Sequence, residues 1–417
     1  MLPLIFYLFN AMPGAPKNIR IEDYNYPLPD ERIARFPLPE RDASKLLVYK
    51  DQQISTDIYR NIDQHLPAGA FLVFNNTKVI PARLQFVKPS GGGIEIFCLE
   101  PDGEPSSSML LKGHATWNCL IGGAKKWKSG PITLENSHLR LQAEWIEKGA
   151  ETHKIKFSWT PSDLTFAEML TLTGQIPLPP YLQRPAEASD AERYQTVYAQ
   201  QDGSVAAPTA GLHFTPQIFD TFKQKQIQCD YVALHVGAGT FKPVKTDTIG
   251  EHEMHAEFFD IDIDMLRRWQ QSCGKAPVVA TGTTSLRTLE SIFLMGSKLL
   301  QDPDLSLEAL EIDQWDAYAA EHQHQDVLAA LSAMILYLEK NGQHRLIAKT
   351  RLMIAPGYQI RTIDALITNF HQPSSTLLLL VAALVGDDWK KIYQYALDHQ
   401  YRFLSYGDGS LLFKKPY

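Results

Sequence analysis

Two histidines stand among small and apolar residues, His213 within VAAPTAGLHFT (205–215) and His235 within ALHVGAGTF (233–241). Small residues let backbone come close to something flat or bulky, and an imidazole there can move protons near neutral pH. The same pattern also describes a histidine satisfied inside a core. A second pattern, HEMHAE (252–257), gathers His252, Glu253, His255 and Glu257. Its histidines are three apart, not four as in the helical HExxH zinc motif, and strand-like FFDIDI follows. In an extended segment Glu253 and His255 share a face, which suits a proton-transfer pair or contacts to sugar hydroxyls. A metal-dependent hydrolase remains the rival reading of the same residues.

VVATGTTSLRTLES (278–291) reads as a strand, a one-glycine turn and a helix whose first turn holds Thr283, Thr284 and Ser285. Free N–H groups beside hydroxyls there suit an anion or a carboxylate, and plain helix capping fits equally. The GxxxxGK[ST] spacing of a phosphate-binding Walker loop is missing. Near the C-terminus, APGYQIRTIDALITNFHQPSSTLLLL (355–380) brings Tyr358, Asn369 and His371 to a strand–loop–helix junction, with the helix expected from Pro373 and Ser374.

The elements that must position these residues fall into two styles. FLVF, RLQFVK, GGIEIFCLE, WNCLIGG, LRLQAEWI and HKIKFSW, between about 71 and 160, are short strand-like runs parted by turn residues. In the last of them Ile155, Phe157 and Trp159 face one way. Such runs predict a small antiparallel barrel or sandwich. Elsewhere TPQIFDTFKQKQI, IDMLRRWQQSCG and SLRTLESIFLMG carry helical spacing, with CDYVALHV and APVVAT as strands between them. The expected architecture is therefore an α/β main domain, 1–66 and 164–417, interrupted by an inserted small antiparallel β-barrel domain at 67–163. The stretch 306–343 reads largely as helix, its EHQHQD a solvated helix start in preference to a metal site.

A chain of 417 residues with 44% hydrophobic and 21% charged content can bury large cores and suits two or three domains. Its net charge of −7 argues against a surface coated in positive charge, yet a local basic face is enough to meet RNA. Lys125, Lys126 and Lys128 around Trp127, in GGAKKWKSG, form such a run, which otherwise is a solvated turn. Four scattered cysteines without a CxxC pair suit free thiols in a reducing cytoplasm. The apolar start LPLIFYLF is too short to span a membrane, and MPGAPKNIRIEDYNY after it makes Met12 an alternative initiator.

GSVAAPTAGLHFT, LHVGAGTFKPV, HEMHAE, ATGTTSLRTLES, APGY, DALITNFHQPSSTLLLLVAALVG and YRFLSYGDG occur in this order. Together with RIARFPLPERDASKLLVY and FLVFNNTKVIPARL they resemble the S-adenosylmethionine:tRNA ribosyltransferase-isomerase family of queuosine biosynthesis, from about residue 19 to the end. The acidic stretch at roughly 300–348 is longer than the connector usual in that family. The resemblance implies transfer and isomerisation of the ribosyl moiety of S-adenosylmethionine onto 7-aminomethyl-7-deazaguanine at the tRNA wobble position. Epoxyqueuosine is the product, with adenine and methionine released.

On that reading the chain is a monomer using S-adenosylmethionine as co-substrate and tRNA as partner, with no cofactor, metal or membrane. His213, His235, His255 and Glu253 then carry the proton steps, the three histidines lining one pocket with the GTTS helix start. The substrates rest on Thr209, Gly211, Gly237, Gly239, Thr240, Thr283, Thr284, Ser285, Arg287, Tyr358, Asn369 and His371. Lys125, Lys126, Trp127 and Lys128 meet tRNA. A non-catalytic tRNA-binding protein, its histidines merely packed, is the remaining alternative.

Overall fold

The computed structural model describes residues 16–87, 91–103, 105–149, 152–237, 244–319 and 325–415. In chain order the strands are β1 (Lys45–Lys50), β2 (Gln53–Ile58), β3 (Phe71–Asn75), β4 (Thr77–Val79), β5 (Arg83–Val87), β6 (Gly93–Pro101), β7 (His114–Gly122), β8 (Ile132–Glu135) and β9 (Arg140–Lys148). They continue as β10 (His153–Thr160), β11 (Gln201–Ser204), β12 (Gln228–Leu234), β13 (Glu257–Asp262), β14 (Val278–Thr281), β15 (Arg345–Thr350), β16 (Ala365–Asn369) and β17 (Gly409–Phe413). The principal helices are α1 (Phe166–Thr173), α2 (Pro216–Gln224), α3 (Ile263–Ser272), α4 (Thr283–Gln301), α5 (Val327–Lys340), α6 (Thr376–Val385) and α7 (Asp388–Asp398).

The chain forms two compact units. The first comprises Met1–Asn76, Pro208–Leu234 and Phe241–Tyr417, and the second Thr77–Ala207 and His235–Thr240. These bounds correct the expected 67–163 insertion at both edges. FLVF became β3 in the large sheet of the first unit, not a barrel strand, because all five residues of β3 are buried, as a central strand covered on both faces requires. Residues 164–207 go with the second unit, where Phe166, Met169 and Leu170 of α1 close its core.

The first unit is built on a nine-stranded mixed sheet in the order β15-β13-β12-β3-β14-β16-β17-β1-β2. Its centre, β12, β3, β14 and β16, is parallel, while β16–β17 and the flanking pairs β12–β13, β13–β15 and β1–β2 are antiparallel. Helix and parallel strand alternate as the sequence suggested, and β14 with its all-buried VVAT runs through Gly282 into α4. The sequence of α6, TLLLLVAALV, is apolar on all sides, which fits a helix enclosed by protein, and Leu378 through Val385 are all buried.

In the second unit six antiparallel strands in the order β5-β6-β7-β10-β9-β8 curl until their edge strands, β5 and β8, meet, making a nearly closed barrel. Ile155, Phe157 and Trp159 do face its core together. A parallel pair, β11 with β4, accompanies it.

Residues 306–343 are less helical than expected. Beyond the one-turn helix Leu307–Leu310 the chain lies extended along β15, Ile312 and Arg351 exchanging backbone bonds with Lys349 and Ile312. It thereby covers the edge of the large sheet, whose exposed backbone groups would otherwise template pairing with other chains. His322 and His324 of EHQHQD lie outside the described residues. Among the described residues no helix is long and apolar enough to cross a membrane.

Candidate functional site

The parallel strands β14 and β16 end side by side, and binding sites in α/β sheets collect beyond such strand ends. The 3-10 turn Thr209–His213 lies over this edge, with Ala210 beside the start of α4: a Cβ placed on Gly282 would stand 3.8 Å from that of Ala210. Gly282 has φ +89°, a conformation that favours glycine, and it opens the 19-residue α4 without any side-chain cap. The first-turn N–H groups are thus left for another partner.

His213 is buried, and both ring nitrogens face protein. Nε2 lies 3.3 Å from Asn369 Nδ2, and Nδ1 lies 3.1 Å from Ser44 Oγ. The amide nitrogen of Asn369 also donates to the Leu404 carbonyl at 3.0 Å, which fixes the orientation of the amide. His213 Nε2 must therefore accept, its proton sits on Nδ1, and the ring stacks on Tyr59 at 4.4 Å. Burial first, then the positive charge of Arg402, holds its pKa down at about 3. His213 is thus a buried ring flanked by Asn369 on one nitrogen and Ser44 on the other.

His371 behaves alike. Its Nε2 pairs with Thr368 Oγ1 at 2.9 Å, its backbone N–H donates to the Tyr393 hydroxyl, and burial pushes its pKa to about 4. The helix behind it starts later than expected, at Thr376 with Ser375 as the capping residue, because Ser374 takes a left-handed φ of +53°.

Around the start of α4, Thr281 Oγ1, Thr284 Oγ1, Asn369 Oδ1 and one terminal nitrogen of Arg287 are buried without a hydrogen-bond partner. Thr281 pairs with Ile367, two residues before Asn369, so the alternation of strand side chains turns Thr281 and Asn369 to one face of the sheet. Orphaned buried polar atoms are uncommon, and several in one place suggest a binding role. Ser285 differs: its hydroxyl donates back to the Thr281 carbonyl at 2.7 Å, a helix-internal role. Thr283 and Gly211 are buried, and Thr209 is half-buried at the start of its turn.

Arg287 forms a buried ion pair with Glu257 and donates to the Leu352 carbonyl at 3.2 Å. The interior carboxylate of HEMHAE is therefore Glu257, whereas Glu253 and His255 are exposed. Gln314 clamps this segment by accepting from the Met254 N–H at 2.9 Å and donating to the His252 carbonyl at 2.6 Å. His252 has a lowered pKa from burial and from neighbouring His255. Among the described residues no group of three or more His, Cys, Asp or Glu could hold a metal ion. The Tyr358 hydroxyl donates to Glu290, whose carboxylate also takes the Arg361 and Thr362 N–H groups at 2.9 Å each, so that tyrosine anchors the backbone of 358–362.

In the second unit, His235 and Gly237 flank Val236, whose N–H donates to Ser204 Oγ at 3.2 Å. His235 thus belongs to a different compact unit from His213 and His255. Gly239 and Thr240 lie outside the described residues. Lys125, Lys126 and Lys128 are exposed, but Trp127 is not the stacking platform expected: its ring is 2% exposed, lies 4.8 Å from Trp145 and donates to the Gly130 carbonyl. A large aromatic gains more by closing the barrel core than by standing in water. Residue types missed from the sequence are Ser44, Tyr59 and Arg402, which hold or tune His213 and carry no spacing signal of their own, and Thr281, which hides in an apolar strand.

These features define an α/β protein with an accompanying small barrel and a polar site at the ends of parallel strands. A family model described as queuosine biosynthesis protein matches residues 21–412, and the chain belongs to that family. It is 37% identical over 396 residues, 94% of this chain and 94% of the relative, to a Magnetococcus marinus protein named S-adenosylmethionine:tRNA ribosyltransferase-isomerase. A crystal structure of S-adenosylmethionine tRNA ribosyltransferase from Thermotoga maritima shares 29% identity, covering 94% of this chain and 100% of that one, with a TM-score of 0.45.

Proposed function

We propose that this chain is an S-adenosylmethionine:tRNA ribosyltransferase-isomerase, transferring and rearranging the ribosyl group of S-adenosylmethionine onto 7-aminomethyl-7-deazaguanine at the wobble position of tRNA. The observation that carries the reading is its 37% identity, along 94% of both chains, to a relative of that name. Epoxyqueuosine is formed, and adenine and methionine leave. Four free thiols suit a cytoplasmic enzyme.

The chemistry asks for removal of a proton beside the sulfonium, departure of adenine and attack by a neutral amine. The uncapped start of α4 suits the α-carboxylate of S-adenosylmethionine, with the unpaired Thr284 hydroxyl beside it. Asn369, oriented by His213, offers an unpaired carbonyl oxygen that can accept from the α-ammonium. Both ring nitrogens of His213 and the Nε2 of His371 are engaged by protein groups, which leaves His235 or His255 for the proton steps. The decisive assay is adenine release from S-adenosylmethionine in the presence of tRNA carrying the aminomethyl base. Release that depends on that tRNA is expected, and its absence with correctly folded protein would sink the assignment.

A further inference from the structure

HEMHAE leaves the large sheet at the point where its chemistry-bearing residues begin. β13 starts at Glu257, whose partner Thr350 is the last residue of β15. Among the described residues no strand runs beside 252–256. Exposure nevertheless alternates there as in a strand: His252 and Met254 are half-buried, while Glu253 and His255 are exposed. An extended backbone keeps such a pattern only where something takes its N–H and C=O groups.

Here a side chain does so. Gln314 accepts from the Met254 N–H at 2.9 Å and donates to the His252 carbonyl at 2.6 Å. One primary amide thus supplies the pair of bonds that a neighbouring strand would otherwise make, one on each side of Glu253. With both made, the side chains of 252 and 254 turn toward the protein, and those of 253 and 255 turn together to the other face.

Gln314 is itself firmly held. Its backbone carbonyl accepts from the Met353 N–H at 3.1 Å. Four residues on, the Tyr318 hydroxyl accepts from the Ala355 N–H at 2.9 Å and donates to the Met353 carbonyl at 3.2 Å. Lys298 of α4 donates to the Glu311 carbonyl at 2.8 Å and pairs with Asp316 at 2.8 Å. Trp315 and Met254 both pack on the apolar cluster that includes Ile249 and Met353. Helix α4 therefore secures HEMHAE twice, through the Arg287 pair with Glu257 and through Lys298, which ties down the segment carrying Gln314. The first turn of the same helix is the place proposed for the carboxylate of S-adenosylmethionine.

We infer that Gln314 is a positioning residue for the proton steps, acting through the backbone from which His255 projects. The inference rests on the proposed function and takes His255 as a group that carries those steps. It gives residues 311–318 a purpose beyond covering the edge of β15.

The test uses the full chain with S-adenosylmethionine and tRNA carrying the aminomethyl base. Gln314→Ala should lower kcat for adenine release by about 10- to 100-fold, the loss that follows when a reacting group is misplaced by up to about 1 Å, and should leave the KM for S-adenosylmethionine nearly unchanged. Gln314→Glu keeps the shape and the acceptor but, ionised, has no donor for the His252 carbonyl, and it should lower kcat in a protein that melts normally. Asp313→Asn, in an exposed pair with Arg351 on the same segment, should leave kcat unchanged. In a His255→Ala background, Gln314→Ala should cost less than about two-fold more, because nothing is left for the amide to position. Losses that multiply independently would overturn the inference, as would normal turnover in Gln314→Ala or in His255→Ala. Hydrogen exchange gives a reading without turnover: Gln314→Ala should speed exchange across 252–256, and unchanged protection there would also overturn the inference. Absence of adenine release by the wild type counts instead against the function itself, and exchange still decides whether Gln314 holds the segment.

Discussion

At the scale of single residues, the two Leu-His pairs part company. His213 holds its proton on Nδ1 and faces Ser44 and Asn369, so its service is to fix the amide of Asn369. Nothing in GLHF distinguishes that from a catalytic role, because a motif shows residue types and not which ring nitrogen is spoken for. The physical consequence is a pH dependence. The folded-state pKa values of His213 and His371, about 3 and about 4, lie below the ordinary histidine value of about 6.5. Their contribution to stability is therefore full above pH 6.5 and is lost as pH falls through the window toward 3. At pH 5 each should already cost about 2 kcal/mol. Urea denaturation at pH 7.5 and 5 should show this loss, and His213→Asn should flatten it by its share; an unchanged slope would mean that the ring is not held neutral.

The activity predictions at this scale separate binding from proton transfer. His235→Asn should keep the fold and lower turnover by roughly 100-fold, the usual range for a lost general acid or base. Normal turnover would assign His235 to packing. Thr284→Val should weaken S-adenosylmethionine binding more than it slows the bound complex, since its hydroxyl is buried and unpaired at the start of α4. Unchanged affinity by calorimetry would reduce the GTTS motif to the start of a helix.

At the scale of elements, the strand–glycine–helix of VVATGTTS was legible because hydrophobic runs, a glycine and helical spacing each leave their own local mark. HEMHAE was only half legible. Its chemistry-bearing types were plain, but which carboxylate turns inward depends on Arg287 arriving from α4, 30 positions away in sequence. Removing one partner of a buried pair leaves a stranded charge, which typically costs about 3–5 kcal/mol. Glu257→Gln should therefore lower stability by roughly that amount, while Glu253→Gln, on an exposed residue, should leave denaturation unchanged. Equal effects of the two would mean that the Arg287 pair does not hold the segment. The stretch 310–319 was misread for a related reason: helix-friendly composition cannot announce that a neighbouring strand, β15, offers an unpaired edge.

At the scale of the molecule, alternating runs announced a barrel and mixed spacing an α/β body, but the seam between them fell elsewhere. A buried run such as FLVF looks the same in either sheet, since periodicity reports burial and not the identity of the neighbour. The same limit governs the basic run of the barrel. Lys125, Lys126 and Lys128 reach water, while Trp127 between them packs on Trp145, so any contact with tRNA there is electrostatic and not a stacked base. On the first unit, Lys349 and Arg351 are less available to a polyanion, because Lys349 is ion-paired with Glu311 and Arg351 with Asp313, both acids contributed by the covering segment. In a chain of net charge −7, the barrel lysines are accordingly the better candidates for a polyanion. Neutralising all three to Gln should weaken tRNA binding and flatten its salt dependence by up to about three counterions' worth. Trp127→Phe should instead lower the stability of the barrel with little change in that slope. A triple variant with wild-type affinity across the salt series would remove the barrel turn from the tRNA surface, and a Trp127→Phe variant that alone flattened the slope would restore the ring as a contact.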